Sequence, residues 1–294
     1  MNPRAEITIA QTLLVLCLCG LAAQAQSGAG SPAKTKTYRF DTVDFPGGFV
    51  TYAIDINTAD HIVVGLTRAN TSSNAQAFTF KGTTYKILQV PGAIGSGLTG
   101  INRSDQMVGF YVDSANALHG FLDDGGKFTT LDYPGATQTQ AFEINDSGLI
   151  VGWYQTYTQH GFVYDRGSYS SFDFPNALST IAYGVNSAGE IVGEWQDTSS
   201  GIHGFLLSGG TFTSLDFPQA WQTGAYGIND AGQIAGTYTD TNFHNHGFIF
   251  SDGVWQTVDV TGAYSLGLNR IKNNGQVVGV FNDALGEQHG VLGH

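Results

Sequence analysis

Over most of the chain, short runs of alternating apolar and polar residues are separated by turns rich in Gly, Asn and Asp. One hairpin shows the pattern well: Phe248 and Trp255 share a face with His246, while Ile249 and Val258 lie on the other face. A period of two residues predicts β-strands. Apolar residues on both faces predict a sheet that is covered on both sides, as in a stack of sheets.

The pattern recurs six times as a unit of four strands, with tight turns at its two hairpins and a variable loop between the second and third strands. One glycine marks each second strand: Gly65, Gly109, Gly152, Gly193, Gly236 and Gly279. Their spacing of 41 to 44 residues, filled by short strands, is typical of a β-propeller blade. We therefore predict an all-β fold, a six-bladed β-propeller of four-stranded antiparallel blades.

The two ends of the repeat region complement each other. The last copy, Leu268 to His294, stops before its fourth strand, whereas Thr37 to Phe45 has the fourth-strand pattern without three strands before it. We predict that this N-terminal strand completes the last blade and closes the ring, which removes open sheet edges. The propeller domain would then span residues 37–294.

The final hairpin of a unit runs from a His to an Asp thirteen residues later. Its midpoint is an Asp-Gly, Gly-Gly or Arg-Gly pair, which suits a two-residue type I′ turn and places His opposite Asp. The predicted structural pairs are His119 with Asp132, His160 with Asp173, His203 with Asp216, His246 with Asp259 and, through ring closure, His289 with Asp44. In the degenerate first copy, Gln76 and Gln89 replace both members together.

At this level of detail the chain resembles the HAF-repeat proteins, whose unit reads roughly Ile-Asn-Asp-x-Gly-x-Ile-Val-Gly followed by His-Ala-Phe. The segments GINDAGQIAG (Gly227 to Gly236) and NHGFIF (Asn245 to Phe250) carry the resemblance, which extends over residues 37–294. This chain has Gly where the family name has Ala, except at Gln76-Ala77-Phe78. The resemblance implies an exported bacterial repeat protein and transfers no catalytic residue.

The first residues predict export. Arg4 precedes an apolar run from Leu13 to Leu21, and Ala23-Gln24-Ala25 offers small residues for cleavage, so residues 1–25 read as a secretory signal peptide. Residues 26–36, rich in Ser, Gly and Ala, predict a flexible leader. We expect a secreted, extracellular protein, with the periplasm or the cell surface as alternative locations, and no membrane insertion after signal removal.

Composition narrows the choice of partners. The formal net charge of −12 argues against nucleic acid and anionic membranes as partners. Both cysteines, Cys17 and Cys19, fall in the predicted signal peptide, so the exported chain would have no disulfide. We expect a monomer without a cofactor.

The recurring histidines raise the possibility of a metal site. Metal ligands must converge on one point, whereas these side chains occur once per blade, so we expect structural His–Asp pairs and no metal.

The first strand of a blade normally lines the central channel. Charged residues stand out there at one repeat position, where Asp55, Glu143 and Arg270 occur. Two carboxylates and a guanidinium could act as acid, base and electrophile, which makes them the candidate catalytic group. The structural alternative is that Arg270 pairs with Asp55 across the ring closure.

A second candidate site follows the marker glycines by two positions. Aromatic residues occupy this position in five copies: Tyr111, Tyr154, Trp195, Tyr238 and Phe281. They could stack on sugar rings at the face that carries the variable loops, or they could fill gaps between blades.

These observations leave three functions open. The first is an exported non-catalytic propeller that binds a glycan or another cell-surface or matrix component. The second is an extracellular polysaccharide lyase or hydrolase with its site at the channel mouth, although the sequence has no HExxH, GxSxG, Walker, CxxC or EF-hand pattern. The third is a structural adhesion or matrix protein.

Overall fold

The computed structural model describes residues 37–48, 50–57, 59, 62–68 and 74–294. The predicted signal peptide and leader lie outside the described residues. Within these ranges every regular element is a β-strand, and no helix is long and apolar enough to cross a membrane.

The strands are short and follow one another with little intervening chain. They are Phe40–Val43 (β1), Val50–Asn57 (β2), Ile62–Arg68 (β3), Gln76–Lys81 (β4), Thr84–Ile87 (β5), Gly95–Ile101 (β6), Met107–Val112 (β7), Leu118–Asp124 (β8), Lys127–Leu131 (β9), Gln138–Ile144 (β10), Ile150–Gln155 (β11), Gln159–Asp165 (β12), Ser168–Phe172 (β13), Ser179–Val185 (β14), Ile191–Gln196 (β15), Ile202–Ser208 (β16), Thr211–Leu215 (β17), Gln222–Ile228 (β18), Ile234–Thr239 (β19), Asn245–Ser251 (β20), Val254–Val258 (β21), Ser265–Ile271 (β22), Val277–Asn282 (β23) and Gln288–Gly293 (β24).

Consecutive strands pair antiparallel in sets of four, which we call repeats. Repeats 2 to 5 are the separate sheets β6–β9, β10–β13, β14–β17 and β18–β21. Repeat 1 (β2–β5) and repeat 6 (β22–β24 with β1) belong to one eight-stranded sheet, joined by a single parallel bridge between Val50 and Gln288.

The predicted pairing of the two chain ends is present. Strand β1 lies antiparallel to β24, with Phe40 opposite Gly293 and Val43 opposite Gly290. The backbone of Arg39 and His294 exchanges two further hydrogen bonds of 3.2 and 2.9 Å. The N-terminal strand therefore supplies the fourth strand of repeat 6.

The first strands of the repeats contact one another in cyclic order, β2, β6, β10, β14, β18, β22 and back to β2. Each contains a β-bulge at the same place, for example between Ala225 and Gly227. A bulge re-aims the extra side chain. Four of these bulge residues, Ile54, Phe142, Tyr183 and Tyr226, belong to one apolar cluster.

The turns follow from local sequence. Arg166 and Gly167 have φ of 47° and 94°, and Asp252 and Gly253 have φ of 53° and 78°, as a type I′ turn requires. The ladder of each hairpin continues to the residues that flank its turn, such as Asp165 opposite Ser168.

A belt of asparagines ties the repeats together at the end of the first strands. In repeats 1 to 5 the Asn side-chain Nδ2 donates to the backbone carbonyl of the equivalent residue in the next repeat. These bonds run from Asn57 to Asn102 (2.9 Å), Asn102 to Asn145 (3.2 Å), Asn145 to Asn186 (2.9 Å), Asn186 to Asn229 (3.3 Å) and Asn229 to Lys272 (3.3 Å). The Asn side-chain oxygen meanwhile accepts from amides of its own turn, as Asn145 does from Ser147 and Leu149.

Deleting residues 37–46 should lower the midpoint of thermal unfolding and promote association. Strand β24 would keep β23 but lose β1, and its edge would then be unpaired. Differential scanning calorimetry and light scattering would measure both effects. An unchanged midpoint with a monomeric product would show that β1 does not contribute to closure.

Asn145→Asp should cost about 1–3 kcal/mol of unfolding free energy, because the carbonyl of Asn186 would lose a buried donor. Asp retains the oxygen that serves the amides of Ser147 and Leu149, so the turn should persist. Asn145→Ala removes both functions and should cost more in chemical denaturation. Equal stability of wild type and Asn145→Asp would contradict a stabilising belt.

Candidate functional site

All five predicted His–Asp contacts are present on the outer hairpins. Each His uses Nδ1, at 3.0 Å for His119–Asp132, 3.0 Å for His160–Asp173, 2.7 Å for His203–Asp216, 2.9 Å for His246–Asp259 and 2.9 Å for His289–Asp44. At His203 the hydrogen bond to Asp216 raises the pKa of the imidazole against the opposing effect of burial, and Asp197 adds to the rise.

The other ring nitrogen, Nε2, faces an aspartate of the second-to-third-strand loop in four repeats. The aspartates are Asp113, Asp197, Asp240 and Asp283, at 3.5, 3.4, 3.6 and 3.8 Å. One oxygen of each already accepts two amides of its own loop, as Asp197 does from Ser199 and Gly201. These carboxylates organise the loops and hold the imidazoles.

The five strand-end aromatics stack on the same imidazoles. Their ring-centre distances to His are 4.9 Å for Tyr111, 5.1 Å for Tyr154, 4.6 Å for Trp195, 5.0 Å for Tyr238 and 4.9 Å for Phe281. In three repeats a residue of the inter-repeat connection stacks on them too: Tyr133 on Tyr154 (3.6 Å), Phe174 on Trp195 (4.0 Å) and Phe217 on Tyr238 (3.7 Å). In these three repeats the aromatic ring stacks on two other rings and so links neighbouring repeats.

The candidate catalytic group does converge, at the end of the channel that carries the asparagine belt. Asp55, Glu143 and Arg270 are 0%, 5% and 3% exposed. Arg270 forms its ion pair with Glu143, and Asp55 pairs with Lys272 at 2.6 Å. The expected pair between Arg270 and Asp55 is therefore wrong, because the guanidinium extends across the axis to repeat 3.

Arg270 also donates to backbone carbonyls of several repeats. Nη1 reaches the oxygens of Tyr226 and Asn269, both at 2.8 Å, and Nη2 reaches those of Thr99 and Phe142 at 3.1 and 2.9 Å. These carbonyls belong to repeats 5, 6, 2 and 3. The side chain thus acts as a plug that cross-links the inner strands.

The carboxylates of this group are occupied as well. Asp55 accepts the amides of Ile56 (2.7 Å) and Ile101 (2.9 Å) in addition to Lys272. Burial raises the pKa of Glu143 to about 7, although the charge of Arg270 opposes the rise. Burial acts to lower the pKa of Lys272, but Asp55 and Glu143 together raise it. The small depression above the group measures about 80 Å³.

A larger cavity, of about 140 Å³, lies between repeats 4 and 5, and we call it the inter-repeat cavity. Its lining residues lie where first strands begin and second strands end, so it opens at the face that carries the variable loops. The lining consists of Gln159, Ser179, Ile181, Glu194, Trp195, Gln196, Ile202, Gln222, Thr223, Gly224, Tyr226, Thr237 and Thr239.

Glu194 is the charged member of this lining and is 7% exposed. Its Oε1 accepts the hydroxyl of Tyr226 at 2.6 Å, and its Oε2 accepts that of Tyr183 at 3.4 Å. Burial raises the pKa of Glu194 to about 7, and the two hydroxyls only partly offset this. Near neutral pH the side chain can therefore either accept or donate a hydrogen bond.

The Glu194 carboxylate and the Tyr226 ring pack directly against the backbone of residue 224, which is possible because that residue is glycine. A Cβ at Gly224 would collide with Glu194 Oε1 and with the Tyr226 hydroxyl. At the equivalent position repeats 2 and 6 also carry glycine, Gly97 and Gly267, whereas repeats 1, 3 and 4 carry Tyr52, Gln140 and Ile181. Trp195 adds a second polar feature, since its buried Nε1 has no hydrogen-bond acceptor among the described residues.

Glu194 was not among the residues predicted from the sequence, although a signal for it exists. It directly follows the marker glycine Gly193, a position held in the other repeats by Leu66, Phe110, Trp153, Thr237 and Val280. Comparison of the copies at this position would have singled out one carboxylate in a mostly apolar register.

One group within the described ranges could hold a cation. Asp283 and Glu287, on the loop between β23 and β24, and His289, in β24, place their ligand atoms within 4.8 Å of one another. Exposed groups of this kind are common without an ion, so we assign it no function.

Solved structures resemble the chain in fold. AofleA from Arthrobotrys oligospora matches with a TM-score of 0.57 at 12% identity, over 87% of this chain and 86% of that one. The Aleuria aurantia lectin, a six-bladed β-propeller with a fucose recognition mode, matches with a TM-score of 0.52 at 13% identity, over 88% and 93%.

The β-propeller domain of the Trilobed protease from Pyrococcus furiosus matches with a TM-score of 0.53 at 11% identity, over 83% and 95%. No family model and no curated protein sequence matches the chain. At this level of identity the likeness concerns the fold, and the chain is a β-propeller of four-stranded antiparallel sheets.

The pH dependence of stability should reveal Glu194. Between its ordinary pKa of 4.5 and about 7, the native state keeps a proton that the unfolded chain has lost, so stability falls as pH rises through this window. Glu194→Gln removes that contribution. The variant should match wild type near pH 4.5 and gain up to about 3 kcal/mol over it by pH 8 in urea unfolding. A difference that does not change with pH would contradict the buried, uncompensated carboxylate.

Proposed function

We propose that the chain is an exported, monomeric and non-catalytic β-propeller of six blades that binds a glycan in the inter-repeat cavity. The observation that carries the proposal is the mixed lining of this cavity, in which apolar surface lies beside the Glu194 carboxyl group and the hydroxyls of Tyr226 and Thr237. Hydroxyl groups of a sugar both donate and accept, so they suit such a mixed lining.

The size and surroundings of the cavity support a sugar as occupant. A volume of about 140 Å³ is below the ~300–1,000 Å³ of sites for drug-sized molecules, which limits the occupant to about one sugar residue. Trp221 precedes the lining residue Gln222, and its ring lies 5.4 Å from that of Phe243. Phe243 and Tyr264 are 61% and 62% exposed on the same face, so further sugar units have aromatic surface beside the cavity.

The blade count and the likeness to lectins agree with this proposal. The cyclic contacts of six inner strands, together with the β1–β24 pairing, support a closed ring of six blades. Two of the similar folds are AofleA and a lectin described as fucose-specific. Export and membership of the HAF-repeat class rest on the sequence and are part of the proposal.

The surroundings of the candidate catalytic group favour a non-catalytic protein over an enzyme. A catalytic acid, base or electrophile must be able to reach the substrate. Asp55 accepts two backbone amides and forms an ion pair with Lys272. Arg270 donates to backbone carbonyls and forms an ion pair with Glu143. The group is better explained as the internal closure of the channel.

A substitution at the mouth of the cavity tests the proposal. Thr239→Trp should cover the opening and abolish binding on a glycan array and in titration calorimetry, because the side chain lines the cavity at the loop face. Asn282→Trp places the same side chain at the equivalent position of β23, outside the cavity, and should leave binding intact. Absence of binding to any glycan by the wild type would overturn the proposed function. Equal loss in both variants would place the site elsewhere.

A further inference from the structure

The charge balance of the inter-repeat cavity is unusual. A carboxylate that is buried away from water is normally paired with a cation or kept neutral by protonation. Within the described ranges no Lys, Arg or His forms an ion pair with Glu194, and the cavity lining contains none of these residues. Its polar partners are two neutral tyrosine hydroxyls.

Glu143 provides an internal comparison, because it is a glutamate of the same burial in the same fold. Glu143 has Arg270 and Lys272 beside it, so its charge is compensated from within the protein. Glu194 is buried to a similar degree, but no cation of the described residues lies beside it to balance its charge. Glu194 lines the inter-repeat cavity, so an occupant of this cavity can supply the counter-charge.

We propose that the inter-repeat cavity selects sugars that carry a free protonated amine, such as a hexosamine residue without an N-acetyl group, with Glu194 as counter-ion. This inference rests on the proposed function and names the class of sugar. A protonated amine brings one positive charge and three hydrogen-bond donors. Glu194 can accept one donor in a charge-assisted bond, and the hydroxyls of Tyr226 and Thr237 lie in the same lining.

The surroundings favour the same choice. The lining has no cation to hold a carboxylate or sulfate, so uronic acids and sulfated sugars would meet Glu194 without compensation. The formal net charge of −12 also attracts cationic ligands over anionic ones at long range.

Burial raises the pKa of Glu194 to about 7, and an ammonium group beside it would stabilise the ionised form. Binding of the amine should therefore release a proton from Glu194 near neutral pH.

Three matched sugars test the inference by isothermal titration calorimetry at pH 5 and pH 7: D-glucosamine, N-acetyl-D-glucosamine and D-glucose. We expect wild type at pH 7 to bind glucosamine at least about tenfold more tightly than glucose, as one charge-assisted hydrogen bond allows. The preference should shrink at pH 5, where Glu194 is protonated. Titration in buffers of different ionisation enthalpy should show proton release with glucosamine alone.

Two glutamate variants distinguish a specific role of Glu194 from the general effect of removing one negative charge. Glu194→Gln should remove the preference for glucosamine while leaving the affinity for glucose within about twofold. Glu190→Gln removes the same charge from the other end of β15, where Glu190 accepts from Asn186 and Ser208, and should keep the preference.

The outcomes distinguish the two proposals. If glucose and glucosamine bind equally well, or if Glu190→Gln lowers the preference as much as Glu194→Gln, the amine inference is wrong and glycan binding stands. If no sugar binds but 2-aminoethanol binds in a Glu194-dependent manner, the amine site stands and the glycan function is wrong. If neither class binds, both are wrong.

Discussion

The asparagine belt is the constraint on which the rest of the propeller depends. Each Asn fixes its own turn through Oδ1 and reaches the next repeat through Nδ2, so one side chain couples local and long-range structure. Because every bond points from one repeat to the next, the belt holds the ends of the inner strands at constant spacing. The sixth position is Lys272, whose ammonium reaches Asp55 of repeat 1, so an ion pair replaces the amide at the junction between the first and last repeats.

That replacement explains why charged residues gather at one end of the channel. Repeat 6 contributes both cations, Lys272 and Arg270, and repeats 1 and 3 contribute the balancing carboxylates. Arg270 spreads its donors over carbonyls of four repeats, which a neutral side chain of similar size could not do. The channel is thereby closed at the belt end, whereas the variable loops lie at the opposite face.

Features that recur along the chain could be predicted from sequence, because each depends on short-range geometry. The thirteen-residue spacing of His and Asp follows from a two-residue turn, and the pairing of His289 with Asp44 follows from the repeat count. The partner of Arg270 could not be predicted, since it depends on which repeat lies across the axis. Glu194 was missed for a different reason: it occurs once, and a repeat analysis gives weight to what recurs.

In a repeat protein, specific chemistry resides in the departures from the repeat. Glu194 is such a departure, and it lines one cavity together with residues of the next repeat. Glu143 also departs from the repeat, but it forms ion pairs with Arg270 and Lys272 and so helps to close the channel. An uncompensated buried carboxylate costs stability at neutral pH, and such local cost is concentrated at functional sites. The two glutamates thus differ in role: Glu143 forms ion pairs that stabilise the fold, whereas Glu194 is buried without a cation and is the residue that we propose binds a ligand.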